Sequence, residues 1–308
     1  MEPALINWIL SRITSPLEHI SHPSNMSNVI AKIKELPPLP GIAYQIMQLA
    51  ADPLADIAKL TDIIELDPLL TAQVIRWANS PLYTYRGKIT SVKEAIHLAL
   101  GFDFVLNLAL GLSALKPLRA PKKGVIGTEM FWIQALAGTR LIKLLNHKLP
   151  ADQQTRPDLL FLSTFIHNIG FPLLGHEFPT EFAYLSKLIN ANSTLNIFTI
   201  EHFAFGVDHT LLGAWLMKSW SMPKPIQDVV CHHHDPNYRG EHYRLNLLVY
   251  LTDTLLGSLG IGDAQNQQCP DDVFIELNLD PKICKLAIND IREVLPDIKT
   301  TVADLIQY

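Results

Sequence analysis

Apolar residues recur at spacings of three and four along most of the chain, and the runs break at proline, glycine and polar clusters. Alternating β-branched runs bounded by two-residue turn signals are absent, so the pattern predicts an all-α chain. In DPLLTAQVIRWANSPLY, Leu70, Val74 and Trp77 share one helical face. Asp67 and Pro68 predict an N-cap and a first helical position, and Asn79-Ser80 a C-terminal cap. Asp52-Pro53 predicts another helix start of the same kind. Ser91 and Glu94 predict a capping box, each side chain reaching the other's backbone amide, ahead of an apolar helix that Gly101 divides.

The breaks divide the chain. Residues 1–28 read as an amphipathic leader helix, and 29–116 as an N-terminal subdomain of short helices with short connections. A short helix from Val29 stops at LPPLP, Leu36 to Pro40, because successive prolines remove amide donors and force extended backbone. Residues 117–128, with their Pro, Gly and Lys, read as a linker. Helices resume over 129–260 as a second subdomain, and 261–308 read as a C-terminal helical extension. The expected architecture is two packed helical subdomains.

Composition narrows the function. A hydrophobic share of 48% is ample for a core, and a net charge of −5 gives no global field for nucleic acid or an anionic membrane. Neither is expected as a partner. Cys231, Cys269 and Cys284 are odd in number and lack metal-type spacing, as suits reduced thiols in a cytoplasmic protein. The first twenty residues lack the parts of a secretory signal. Leu98 to Leu115 is the most membrane-like stretch, but Asp103 near its centre would cost about 3 kcal/mol on insertion, which predicts a buried helix. Trp132, Trp215 and Trp220 read as core or interface aromatics.

The chemistry gathers in the second half. In FLSTFIHNIGFPLLG, Phe161 to Gly175, His167 sits alone in an apolar run. A carboxylate after it would give a second ligand able to bridge two ions, and the residue there is Asn168. His209 and the run His232-His233-His234 follow on separate helices, with Asp253 inside the apolar LLVYLTDTLLG. Imidazoles and carboxylates from several helices are how a helical core holds a metal, and a carboxylate in such a helix needs a cation or good donors. His232 reads as a surface residue, Cys231 as core, and Glu201-His202 as a helix-end polar pair.

These stretches resemble the HDOD family, the HD-related output domain of bacterial signalling proteins. The resemblance rests on LPPLP, on DPLLTAQVIRWANSPLY at Asp67 to Tyr83, on SVKEAIHLALG at Ser91 to Gly101 and on Phe131-Trp132. It continues through FIHNIG at Phe165 to Gly170, the E-x-x-x-FG-x-DH-x-x-x-GA-x-L pattern from Glu201 to Leu216, Trp220, Pro223 and HH-x-P at His233 to Pro236. It implies that the second subdomain is an HD-like helical bundle, descended from metal-dependent phosphohydrolases. In catalytic relatives the first ligand His would fall near Gln134, and the His-Asp pair becomes His167-Asn168. The later histidines match His209, His233 and His234, and the last carboxylate matches Asp253. The Lys that follows the pair is Phe171 here, and no Gly-Tyr-Pro loop follows His234.

Without the bridging carboxylate, two ions are not expected. The expected site holds either one divalent transition-metal ion, Fe, Zn, Ni or Mn, on His167, His209, His233, His234 and Asp253, or no metal at all, as a structural relic. No residue is assigned a catalytic role. The expected function is a signalling output module that binds another, unidentified signalling protein, with homo-oligomerisation left open. The alternative is a metal-dependent phosphohydrolase acting on nucleotides or cyclic dinucleotides.

Overall fold

Helix signals at the sequence level translate directly into elements in the computed structural model, which describes residues 36–83, 85, 87–265 and 267–305. The expected leader helix, 1–28, and the short helix before Leu36 lie outside the described residues. After LPPLP the chain forms α1 (Gly41–Ala50), which buries Ala43, Ile46 and Leu49, then α2 (Ile57–Glu65) and α3 (Pro68–Ala78). Asp67 caps α3 by accepting from the amides of Leu69 and Leu70, at 3.0 and 3.3 Å, and its other oxygen meets Lys116 Nζ at 2.5 Å. That cap ties the start of α3 to the chain following the fifth helix.

Two local readings shift. α2 starts at Ile57 under an Asp56 cap, not at Asp52-Pro53. Asp52 instead accepts from Leu54 N at 2.8 Å and Lys59 Nζ at 2.9 Å, an Asx-type turn that spends the side chain before the helix begins. Ser91 caps α4 (Val92–Glu94), which runs on as a π-helical segment, Ala95–Leu100. Glu94, however, reaches past the cap residue to Thr90 N and Oγ1, at 2.7 and 2.9 Å. Asn79 caps α3 as expected and also clamps the returning loop, exchanging hydrogen bonds with Ile89 N and O at 3.0 and 2.8 Å. Gly101, at φ +84°, makes the corner into α5 (Phe102–Leu115). From Val105 onward α5 is buried, and Asn107 survives there by donating to Asp103 O at 2.8 Å.

The second subdomain comprises α6 (Thr128–Asn146), α7 (Pro157–Ile166), α8 (Gly170–Glu177), α9 (Pro179–Ala191), α10 (Ile197–Phe205), α11 (His209–Ser219), α12 (Lys224–His232) and α13 (Tyr243–Gly257). α14 (Asp271–Leu277) and α15 (Pro281–Leu305) follow, and α15 lies along α6. The fold is all-α, with no strand among the described residues. The stretch 157–177 is long and apolar enough to cross a membrane by length and composition, and 83% of it is buried inside the bundle.

The two subdomains pack through aromatic rings. Phe104 of α5 meets Phe161 of α7 edge-on at 4.7 Å, and Phe165 lies 6.3 Å from Trp77 and 5.5 Å from Trp132. Trp220 is buried and donates Nε1–H to Pro37 O at 2.7 Å, fastening LPPLP to the second subdomain. Trp215 corrects the expectation: it is 41% exposed. The buried stripe of α11 is His209, Leu212, Gly213, Leu216 and Met217, a three-and-four repeat that turns position 215 outward.

Candidate metal centre

Helix ends, not helix middles, deliver most of the site. His167 follows α7, His209 opens α11 under the Asp208 cap, and His233 and His234 follow α12. Asp253 lies within α13 and Gln134 within α6. A Cβ on Gly170 would collide with the His209 carbonyl oxygen, so only glycine lets α8 press this closely on α11. The loop after α13 turns at Gly260 and Gly262, φ +71° and +80°, and brings Asp263 into the cluster.

Three buried imidazoles have Nδ1 engaged by a fixed acceptor. His167 Nδ1 lies 2.8 Å from Thr164 O, His209 Nδ1 lies 2.7 Å from Glu201 Oε2, and His233 Nδ1 lies 3.1 Å from Val230 O. In the neutral ring each acceptor keeps the proton on Nδ1 and directs the Nε2 lone pair inward. There, His209 Nε2 is 3.3 Å from His233 Nε2, 3.2 Å from His234 Nε2 and 3.4 Å from Asp263 Oδ2. His234 Nε2 and Asp263 Oδ2 are 2.7 Å apart. A tetrahedral ion with bonds of about 2.0–2.1 Å separates its ligands by about 3.3 Å. The three distances from His209 match that spacing, the 2.7 Å contact between His234 and Asp263 is a hydrogen-bond length, and all four donor atoms lie within 4.8 Å of one another, so the facing lone pairs need a proton or a cation between them.

The five expected ligands thus do not form one shell. His209, His233 and His234 converge with Asp263, which the sequence reading missed, while His167 and Asp253 face each other at 3.1 Å. His233 adjoins both groups. Between them lies Gln134, whose Nε2 donates to Asp253 Oδ1 at 3.2 Å and Asp263 Oδ1 at 3.1 Å. Asn168 Nδ2 donates to Asp263 Oδ1 at 2.9 Å and Gln134 Oε1 at 3.0 Å. The two amides thus give the buried carboxylates N–H donors. Asp253 Oδ2 makes no aligned hydrogen bond and has the His167 ring nitrogen as its neighbour.

The protonation states follow from these neighbours. Burial pushes the His209 pKa down, but the Glu201 carboxylate more than offsets it and lifts it to about 9. At His167 the same burial is outweighed by Asp253, so its pKa is raised. His233, buried and beside His234 and His167, is held well below the usual histidine range. Burial works to raise Asp263, yet His234 and His209 hold its carboxyl well below the usual range.

Glu201 is no helix-end partner of His202. It is buried, takes His209 N and Nδ1 on its two oxygens at 3.0 and 2.7 Å, and orients that ring. His202 pairs with Asp208 at 2.8 Å, and His232 stacks on Tyr238 at 4.1 Å between ring centres. The sequence carried one signal for Asp263: a carboxylate directly after Gly260-Ile261-Gly262, where flexible backbone permits a tight turn.

An all-α bundle with imidazoles and carboxylates converging from helix ends defines an HD-like helical protein. The chain belongs to the HDOD domain family, whose model matches residues 36–236. A crystal structure of a protein from Marinobacter aquaeolei VT8, provisionally named for signal transduction, is 27% identical with a TM-score of 0.79, covering 99% of this chain and 66% of that one. An HDOD domain protein of unknown function from Geobacter sulfurreducens is 20% identical with a TM-score of 0.73, covering 92% and 97%. An uncharacterised protein of Treponema pallidum (strain Nichols) is 21% identical over 218 residues, 71% of this chain and 41% of that protein. The chain thus spans less than half the length of that curated relative and just under two thirds of the Marinobacter protein.

Proposed function

We propose that this chain is a signal-transduction output module that acts by binding another protein. One divalent transition-metal ion on His209, His233, His234 and Asp263 would hold its second subdomain in shape. The observation that carries the metal assignment is the cluster of four donor atoms within 4.8 Å of one another, with Nδ1 of His209 and His233 engaged from behind so that Nε2 faces the cluster. Three imidazoles and one carboxylate suit Zn, Fe, Ni or Mn.

Hydrolysis would require the ion to offer an open position for water or substrate. An ion bound by all four donors, which lie within 4.8 Å of one another, would have no open tetrahedral position, and of the four residues only His234 reaches the surface, at 12% side-chain exposure. Such a closed shell suits a structural ion that staples α11, the end of α12 and the 258–265 loop together. The signalling assignment draws on family membership and on the name given to the Marinobacter relative.

Metal analysis of protein purified without a His tag tests the site, with about one equivalent per chain expected. Turnover of bis(p-nitrophenyl) phosphate by the metal-loaded chain would overturn the output reading in favour of a phosphohydrolase. Repeated recovery of a partnerless monomer, by pull-down from the native lysate and native mass spectrometry, would overturn it as well.

A further inference from the structure

Between α3 to α5 on one side and α6 and α7 on the other lies a cavity of about 620 Å³. That falls within the roughly 300–1,000 Å³ of small-molecule sites. One wall is aromatic: Trp77, Tyr83, Phe102, Phe104 and Phe161. Tyr83 stands edge-on to Phe104 at 5.6 Å, and Phe104 edge-on to Phe161 at 4.7 Å, an arrangement that presents ring faces and edges to a flat guest. Trp77 donates Nε1–H to the Tyr83 oxygen at 3.1 Å, so the phenol's own proton has no acceptor among the described residues. Burial pushes its pKa far up, and it stays a donor.

The opposite wall is cationic. Arg140 and Lys143 on α6 and His147, the residue that caps its end, occur at spacings of three and four, so they share one face, and all three line the cavity. Neither Arg140 nor Lys143 forms an ion pair among the described residues. Asp103 is the acid in the lining. A basic stripe on an exposed helix face is ordinarily just solvated. This stripe instead borders the mouth of a partly open cavity whose far wall is aromatic and carries an unused buried donor.

We propose that this cavity binds a small aromatic anion, a flat ring system bearing a phosphate or a carboxylate, with the ring against the aromatic wall and the anion on Arg140 and Lys143. A guest there touches both subdomains. Its floor residue Phe161 lies on α7, the helix that ends at His167, so occupancy would clamp the inter-subdomain packing next to the metal centre without using any of that centre's side chains. The site stands whether or not a metal binds.

Isothermal titration of the full chain with 2-naphthyl phosphate, 2-naphthoate and neutral 2-naphthol tests this. One site per chain is expected for the anions, with 2-naphthol at least tenfold weaker. The tighter of the two anions identifies the group that the site takes. R140A/K143A, at two exposed positions, should keep the wild-type melting temperature and weaken anion binding at least tenfold. Ala99→Trp, which fills the cavity from its lining, should abolish binding. Equal affinity for 2-naphthol, undiminished binding in R140A/K143A, or no binding of either anion at millimolar concentration would each overturn the proposal.

Discussion

Replacing Asp263 by Asn is the sharpest probe of the metal centre, because it changes charge with almost no change in shape. The carboxylate makes four contacts: Oδ1 accepts from Gln134 and Asn168 at 3.1 and 2.9 Å, and Oδ2 faces His234 and His209 at 2.7 and 3.4 Å. An Asn keeps the first two only by turning its amide oxygen toward Gln134 and Asn168. Its NH₂ then points at the two imidazoles, and the proposed coordination shell would lose its only anion. One strong charge-assisted contact and one weaker one disappear, together about 3 kcal/mol. For a chain of this size that lowers the melting temperature by about 6–12 °C. Calorimetry with and without EDTA, alongside metal analysis, measures the effect. EDTA should lower the wild-type melting temperature and leave that of Asp263→Asn unchanged, and the variant's metal content should fall well below one equivalent. A variant that retained a full equivalent of metal and an EDTA-sensitive transition would refute the assignment of Asp263 to the shell.

Glu201→Gln keeps an oxygen for His209 Nδ1 but removes the charge that raises the ring's basicity, so metal affinity should drop about 10–100-fold in competition with a fluorescent chelator. Unchanged affinity would separate Glu201 from the site. Trp220→Phe leaves the Pro37 carbonyl without its 2.7 Å donor. The cost is about 1–2 kcal/mol, read as a melting temperature lower by about 2–8 °C, and a neutral substitution would mean that LPPLP is not fastened there. At Asp228, burial works to raise the carboxyl pKa, but Lys224 and His242 hold it below its usual 3.8. A depressed folded-state pKa contributes stability that is present above the unfolded value and lost as pH falls through the folded one. Asp228→Asn should therefore flatten the stability profile below about pH 4, and an unaltered acid limb in urea titrations would count against the pairing.

Much of this molecule was readable from local pattern. Helix class, the Asp67-Pro68 cap, the Asn79 stop, the Gly101 corner and the family all rest on residues close together in sequence, where capping and periodicity act. The errors also have local causes. Asp52 resembles a cap but spends its side chain on Leu54, and Trp215 belongs to an apolar run whose phase turns it outward. The metal centre was legible only in part. His209, His233 and His234 could be proposed from their residue types, but whether their Nε2 atoms meet depends on how the ends of separate helices converge, a property of packing.

Asp253, conspicuous in an apolar helix, drew the role of the acid, yet the structure pairs it with His167 and Gln134. Asp263 in an ordinary-looking loop stands with the three imidazoles instead. Local pattern along the chain was enough for an all-α HDOD chain with a histidine-rich second half and Asn168 beside His167. Packing settled which carboxylate joins which imidazoles: Gly260-Ile261-Gly262 marks a turn in the sequence, but the return of the 258–265 loop onto Gln134 of α6 depends on contacts distant along the chain.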